Sequence, residues 1–143
     1  MTMPAGRYYV GDLCYVMHPQ WNEFCDLTIK DNKCLDGEFE LSNGVKFAHS
    51  RTAYGDGVYE DLHGREYHVD AGLIGCIKES DVDDPNAHWA GGNIIDFEAP
   101  FEIAFEDGDI VFYNADSYKP LVEIPTGHVD DYDDEGDDYE DDE

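Results

Sequence analysis

Apolar and polar positions alternate with a period of two through most of the chain, between short clusters of Gly, Asp, Asn and Pro. That is the signature of half-buried β-strands, whose successive side chains leave opposite faces of a sheet. Residues 7–10 read as a first strand, Gly11-Asp12 as a turn and residues 13–17 as a second extended segment. Residues 38–41 and 45–48 flank Ser42-Asn43-Gly44. Asn-Gly between alternating segments predicts a type I′ hairpin with Phe39, Leu41, Val45 and Phe47 on its buried face. A second hairpin is predicted from Val58-Tyr59 to Tyr67-His68-Val69, turning at His63-Gly64. A third joins 101–105 to 110–113 around Asp107-Gly108, and residues 73–77, 93–97 and 121–124 supply further strands around a loop at 81–92. One segment departs from the period of two. Trp21, Phe24, Cys25 and Thr28 recur at i, i+3, i+4 and i+7, which predicts a helix over about 19–28 with Pro19 at its first position. No internal repeat stands out.

Eight to nine short strands with one helix predict a mainly β fold, a compact antiparallel β-barrel or sandwich with the helix as a lid. The domain is expected to span residues 1–126. Residues 127–143 carry eleven acidic residues and no Lys or Arg, which predicts a disordered acidic tail.

Charge changes this picture most. Asp and Glu number 35 against 8 Lys and Arg, a formal net charge of −27. Taking the tail's eleven from 35 leaves 24 acidic and 8 basic residues, so the body by itself carries −16. Such an excess opposes compaction, repels nucleic acid and anionic membranes, and favours a basic partner. The N-terminus has no apolar run of a signal peptide and no stretch reaches the length of a membrane span. Cys14, Cys25, Cys34 and Cys76 form no CxxC pair, so reduced thiols in the cytoplasm are expected, with no metal and no cofactor.

Two segments are unusual: Tyr9-Val10-Gly11-Asp12-Leu13-Cys14-Tyr15-Val16, and Ala53-Tyr54-Gly55-Asp56-Gly57-Val58-Tyr59 followed by Val69-Asp70-Ala71-Gly72-Leu73-Ile74-Gly75. Together they resemble a group of small phage and bacterial proteins with Gly-Asp-Pro-Cys-Tyr near the start, then Ala-Tyr-Gly-Asp-Gly-Val-Tyr and Val-Asp-Ala-Gly-Leu-Ile-Gly. This chain has Leu13 in place of the proline. The group has no settled activity, so the resemblance implies a phage or bacterial cytosolic setting rather than a reaction.

Two functional classes follow. The first is a non-enzymatic binding protein that imitates backbone phosphates and occupies the Lys/Arg groove of a host nucleic-acid-binding protein of the defence or restriction type. Its candidate binding carboxylates, expected on exposed faces and turns, are Glu38, Glu40, Glu60, Asp61, Asp81, Asp83, Asp84, Glu102, Glu106, Asp107 and Asp109. The second is a small enzyme or ligand-binding domain with a site around Asp12, Cys14, Tyr54, Asp56 and Asp70. In it Cys14 would be a thiolate nucleophile served by His68 and Asp70, with His49 as the alternative base.

Overall fold

The computed structural model describes residues 2–126; the segment read as an acidic tail lies outside them. In chain order the elements are β1 (Gly6–Gly11), a 3-10 turn (Leu13–Tyr15), α1 (Trp21–Thr28), β2 (Ile29–Lys30), β3 (Lys33–Cys34), β4 (Gly37–Glu40) and β5 (Lys46–Arg51). There follow β6 (Gly57–Glu60), β7 (Glu66–Val69), β8 (Leu73–Lys78), β9 (Asn93–Phe97), β10 (Phe101–Glu106), β11 (Asp109–Asn114) and β12 (Pro120–Pro125). The strands pair antiparallel into a five-stranded sheet ordered β4-β5-β8-β1-β9, a three-stranded sheet β10-β11-β12, and the two hairpins β2-β3 and β6-β7.

The two larger sheets pack as a sandwich, and the alternation within β1 shows how the layers form. Tyr8 and Val10 face the inter-sheet core with Ile74, Cys76, Phe97, Phe101, Phe112 and Ile124. Tyr9 faces the other way, into a second core with Leu13, Met17, Phe24, Phe47 and Ile77. The five-stranded sheet is therefore covered on both faces, by the small sheet on one side and by α1 and the 3-10 turn on the other. Its inner strand β8 is accordingly buried almost throughout. The sandwich edges are stitched by Ile103 N donating to Glu38 Oε2 at 2.8 Å and by the Met3–Phe101 bridge. Helix α1 stacks Trp21 on Phe24 at 4.5 Å, and Phe24 on Phe47 at 5.0 Å. No helix among the described residues is long and apolar enough to cross a membrane.

Several expectations need correction. Twelve short strands are present among the described residues instead of eight or nine, partly because residues 29–34 form a small hairpin. Asp31 and Asn32 turn it at φ 52° and 64°, a pair of left-handed residues that polar flanks disguised as loop. Residues 13–17 are not extended, because the Asp12 side chain caps Cys14 N and closes a 3-10 turn. Pro19 precedes the helix, which starts at Trp21.

The Asn43-Gly44 hairpin has the expected buried face but not the expected turn. Leu41 N donates to Val45 O and Gly44 N to Leu41 O, leaving a three-residue loop in which Gly44 alone, at φ 91°, is left-handed. The two-residue type I′ geometry belongs instead to Asp107-Gly108, at φ 53° and 90°, between paired Glu106 and Asp109. The β6-β7 hairpin repeats the first design twenty positions later. Asp61 N donates to Arg65 O, Gly64 N donates to Asp61 O, and Gly64 sits at φ 84°. Aligned on these turns, Gly37 and Glu40 of β4 fall on Gly57 and Glu60 of β6.

Candidate functional site

The unusual sequence segments converge on Asp12. Its side chain is buried, yet no lysine or arginine pairs with it in the described contacts. Backbone N–H groups serve it: Oδ1 accepts from Cys14 N at 3.0 Å, and Oδ2 from Asp70 N at 2.7 Å and Ala71 N at 2.6 Å. One carboxylate thus clasps the turn after β1 to the loop between β7 and β8. Gly11 and Gly75 face each other across β1 and β8. A Cβ on Gly11 would come within 2.9 Å of Gly92 Cα, and one on Gly75 within 2.8 Å of Leu13 Cδ1. The Gly-Asp and Leu-Ile-Gly words therefore record close backbone approach as well as any chemistry. Beside them, Thr52 Oγ1 donates to Gly55 O at 2.6 Å and Tyr59 OH to the same oxygen at 2.8 Å, which folds the Tyr54-Gly55-Asp56 loop back on the body.

Asp12, Cys14 and Asp70 come together; Tyr54 and Asp56 stand exposed on the loop. The Cys14 thiol is pushed up to about 12, first by burial, then by its hydrogen bond with Asp12 and the charges of Asp12 and Asp70. It is a neutral thiol at pH 7, the reverse of what a nucleophile requires. His68 is exposed on β7 and lines a cavity of about 280 Å³ with Tyr15, His88, Ala90 and Gly91. Burial is the main cause that raises the Tyr15 phenol pKa, followed by the negative charge of Asp70. His88 and its cavity lay in a segment that the sequence marked only as loop. Among the described residues no group of three His, Cys, Asp or Glu side chains could hold a metal ion.

The candidate binding carboxylates divide. Three are built into the fold and not displayed on its surface. Asp61 is 5% exposed and accepts from His63 N, Arg65 N, Arg65 Nε and Tyr67 OH at 2.7–3.0 Å. Burial alone would raise its pKa, but the bonds from Arg65, Tyr67 and the backbone outweigh burial and hold it below the ordinary value. The enclosed Asp84 side chain accepts from His18 N, Asn86 N and His18 Nδ1. Half-buried Glu38 takes the Ile103 amide, and burial raises its pKa. The sequence pattern hid this because an acidic residue in a turn looks alike whether it caps the turn or faces solvent.

Glu40, Glu60 and Asp83 are exposed on separate elements, and Asp81 is half-buried. Glu102, Glu106, Asp107 and Asp109 sit on one hairpin. The period of two puts Glu102 and Glu106 on the side of β10 away from Phe101 and Ile103, which face the core. Glu123 of β12, opposite Val111, joins them on this outer face and was missed by sequence reasoning. Tyr113 lies between: its phenol is pushed up to about 12 by a hydrogen bond with Glu106, then by burial and the charges of Glu106 and Glu123. Strands β10, β11 and β12 contain no Lys or Arg. Elsewhere, Arg7 pairs with Glu79 and Asp96, Arg51 with Asp36 and Arg65 with Asp61.

No protein-family model matches the chain, and no curated protein or solved structure matches it.

Proposed function

We propose that this protein is an acidic, non-enzymatic binding protein whose partner is a basic, nucleic-acid-binding protein, engaged through DNA-like charge mimicry. The observation that carries this reading is the outer face of β10-β11-β12. There Glu102, Glu106 and Glu123 project from a rigid sheet with Asp109 at its end and no cation in the three strands. Residues on one face of a strand repeat every ~6.8 Å and neighbouring strands lie ~4.8 Å apart, so the sheet holds its carboxylates at fixed separations. A groove lined with Lys and Arg would meet them as it meets phosphates, with release of counterions. The protonated Cys14 thiol supports a binding role over thiolate catalysis. The resemblance to phage and bacterial proteins makes a host defence or restriction protein the partner class of first choice.

The test is capture from bacterial lysate at about 50 mM salt, followed by elution with duplex DNA. Duplex DNA should release the partner, about 200 mM salt should weaken capture steeply, and a Glu102→Gln/Glu106→Gln/Glu123→Gln triple variant should lose it. Capture that ignores both salt and DNA, or survives in the triple variant, refutes the mimicry reading.

A further inference from the structure

A small cavity lies between the turn that carries Tyr15, strand β7 and the segment 88–91. Its volume, about 280 Å³, falls below the ~300–1,000 Å³ of sites that enclose whole small molecules, which suits a single side chain. Three of its lining residues carry rings: Tyr15 and His88, whose rings lie 5.5 Å apart at 48°, and His68. Trp89, 41% exposed, stands next along the chain, its ring against Tyr9 at 6.0 Å. No lysine or arginine lines the cavity. Asp70 is exposed and follows the last residue of β7, two positions beyond His68. Asp12 ties its backbone N–H to the turn that carries Cys14 and Tyr15, and the Asp70 charge acts on the Tyr15 phenol.

The walls are also held still. His88 N donates to Tyr15 O at 2.8 Å, and a Cβ on Gly91 would come within 2.6 Å of Tyr15 Cδ2, so the ring lies flat against that glycine. Asp12 fixes the backbone of Asp70 and Ala71. A site already in its bound shape loses little entropy when filled.

We propose that this cavity receives an arginine side chain of the basic partner, its guanidinium set against the Tyr15 and His88 rings and paired with Asp70. The planar guanidinium stacks on aromatic faces while still presenting N–H donors to a carboxylate; a lysine ammonium is a compact, strongly hydrated point charge. The proposal rests on the reading of a basic partner and adds a specific anchor outside the β10-β11-β12 face, so that charge alone need not carry recognition.

The test needs no partner protein. The full chain is titrated with N-acetyl-arginine amide while the ring resonances of Tyr15, His68 and His88 are followed by NMR, with N-acetyl-lysine amide and N-acetyl-glutamine amide as comparisons. Saturable shifts confined to these rings and the Asp70 amide are expected, with the arginine compound binding tightest. Asp70→Asn should weaken binding about 2- to 5-fold, as for an exposed ion pair. His88→Ala, which keeps the backbone bond to Tyr15, should weaken it as well. Shifts that never saturate or spread over the β10-β12 carboxylates overturn the proposal, as does unchanged binding in both variants. Equal binding of the lysine compound overturns the assignment to arginine. Failure here leaves the sheet-face reading untouched, and failure of the triple glutamine variant leaves this cavity untouched.

Discussion

Asp12 and His49 mark two opposite ways of burying a polar side chain. Asp12 is satisfied by three backbone N–H groups, which stabilise a buried carboxylate in place of water. Asp12→Ala leaves those donors facing a void. Urea denaturation should show a loss of about 3 kcal/mol, since each hydrogen bond to a charged group is worth roughly 1.5–3 kcal/mol. A loss below about 1 kcal/mol would mean that water replaces the carboxylate and that the clasp is dispensable.

His49 lies fully buried against Phe24, Phe39 and Phe47, with both ring nitrogens shut away from solvent. Burial lowers its pKa below the ordinary 6.5, and the nearby Asp36 charge and a hydrogen bond with the Leu35 backbone oppose this only in part. Below pH 6.5 the unfolded chain therefore takes up a proton that the folded chain refuses. Stability is complete above about pH 6.5 and falls as the pH drops toward the depressed folded value. Thermal midpoints between pH 7 and pH 5 should show this slope, and His49→Leu should flatten it. An unchanged slope in the variant would assign the acid sensitivity to the carboxylates.

At the level of elements, the hairpins show what turn chemistry decides. Gly44 and Gly64 occupy the same left-handed position in two three-residue loops, and neither Cβ would meet backbone. Conformation alone should therefore set the cost of replacing them, about 1 kcal/mol for Gly→Ala at either site. Asp107→Gly should be neutral or slightly stabilising, because it relieves a left-handed non-glycine residue at φ 53°. Chemical denaturation of the three variants checks this. A cost at Asp107 equal to that at Gly44 would mean the aspartate side chain, not the turn geometry, holds that hairpin.

Over the whole molecule, charge should act with opposite signs on folding and on the proposed binding. The body's net −16 repels itself, so the thermal midpoint should rise as sodium chloride goes from about 10 to 200 mM, where the screening length shrinks from roughly 30 Å to under 10 Å. Binding to a basic partner should weaken over the same range. A midpoint that does not move with salt would mean that pairs such as Arg7–Glu79 and Arg65–Asp61 have already neutralised the repulsion that matters.

The period of two, the Asn-Gly and Asp-Gly signals and the i, i+3, i+4 spacing of Trp21, Phe24 and Cys25 depend on neighbours along the chain. The sequence by itself therefore determined a mainly β body, its three main hairpins, its one helix and its acidity. It determined the shared face of Phe39, Leu41, Val45 and Phe47 as well, but not that α1 would cover that face. Loop length, and with it turn type, depended on which residues paired across each hairpin, which no local pattern encodes. The same holds for every side-chain role. Asp12, Asp61 and Glu106 look alike in the sequence. Only the tertiary structure made one a buried clasp, one the partner of Arg65 and one an exposed charge on the outer face of β10, because a carboxylate's role is set by the donors that long-range packing brings to it.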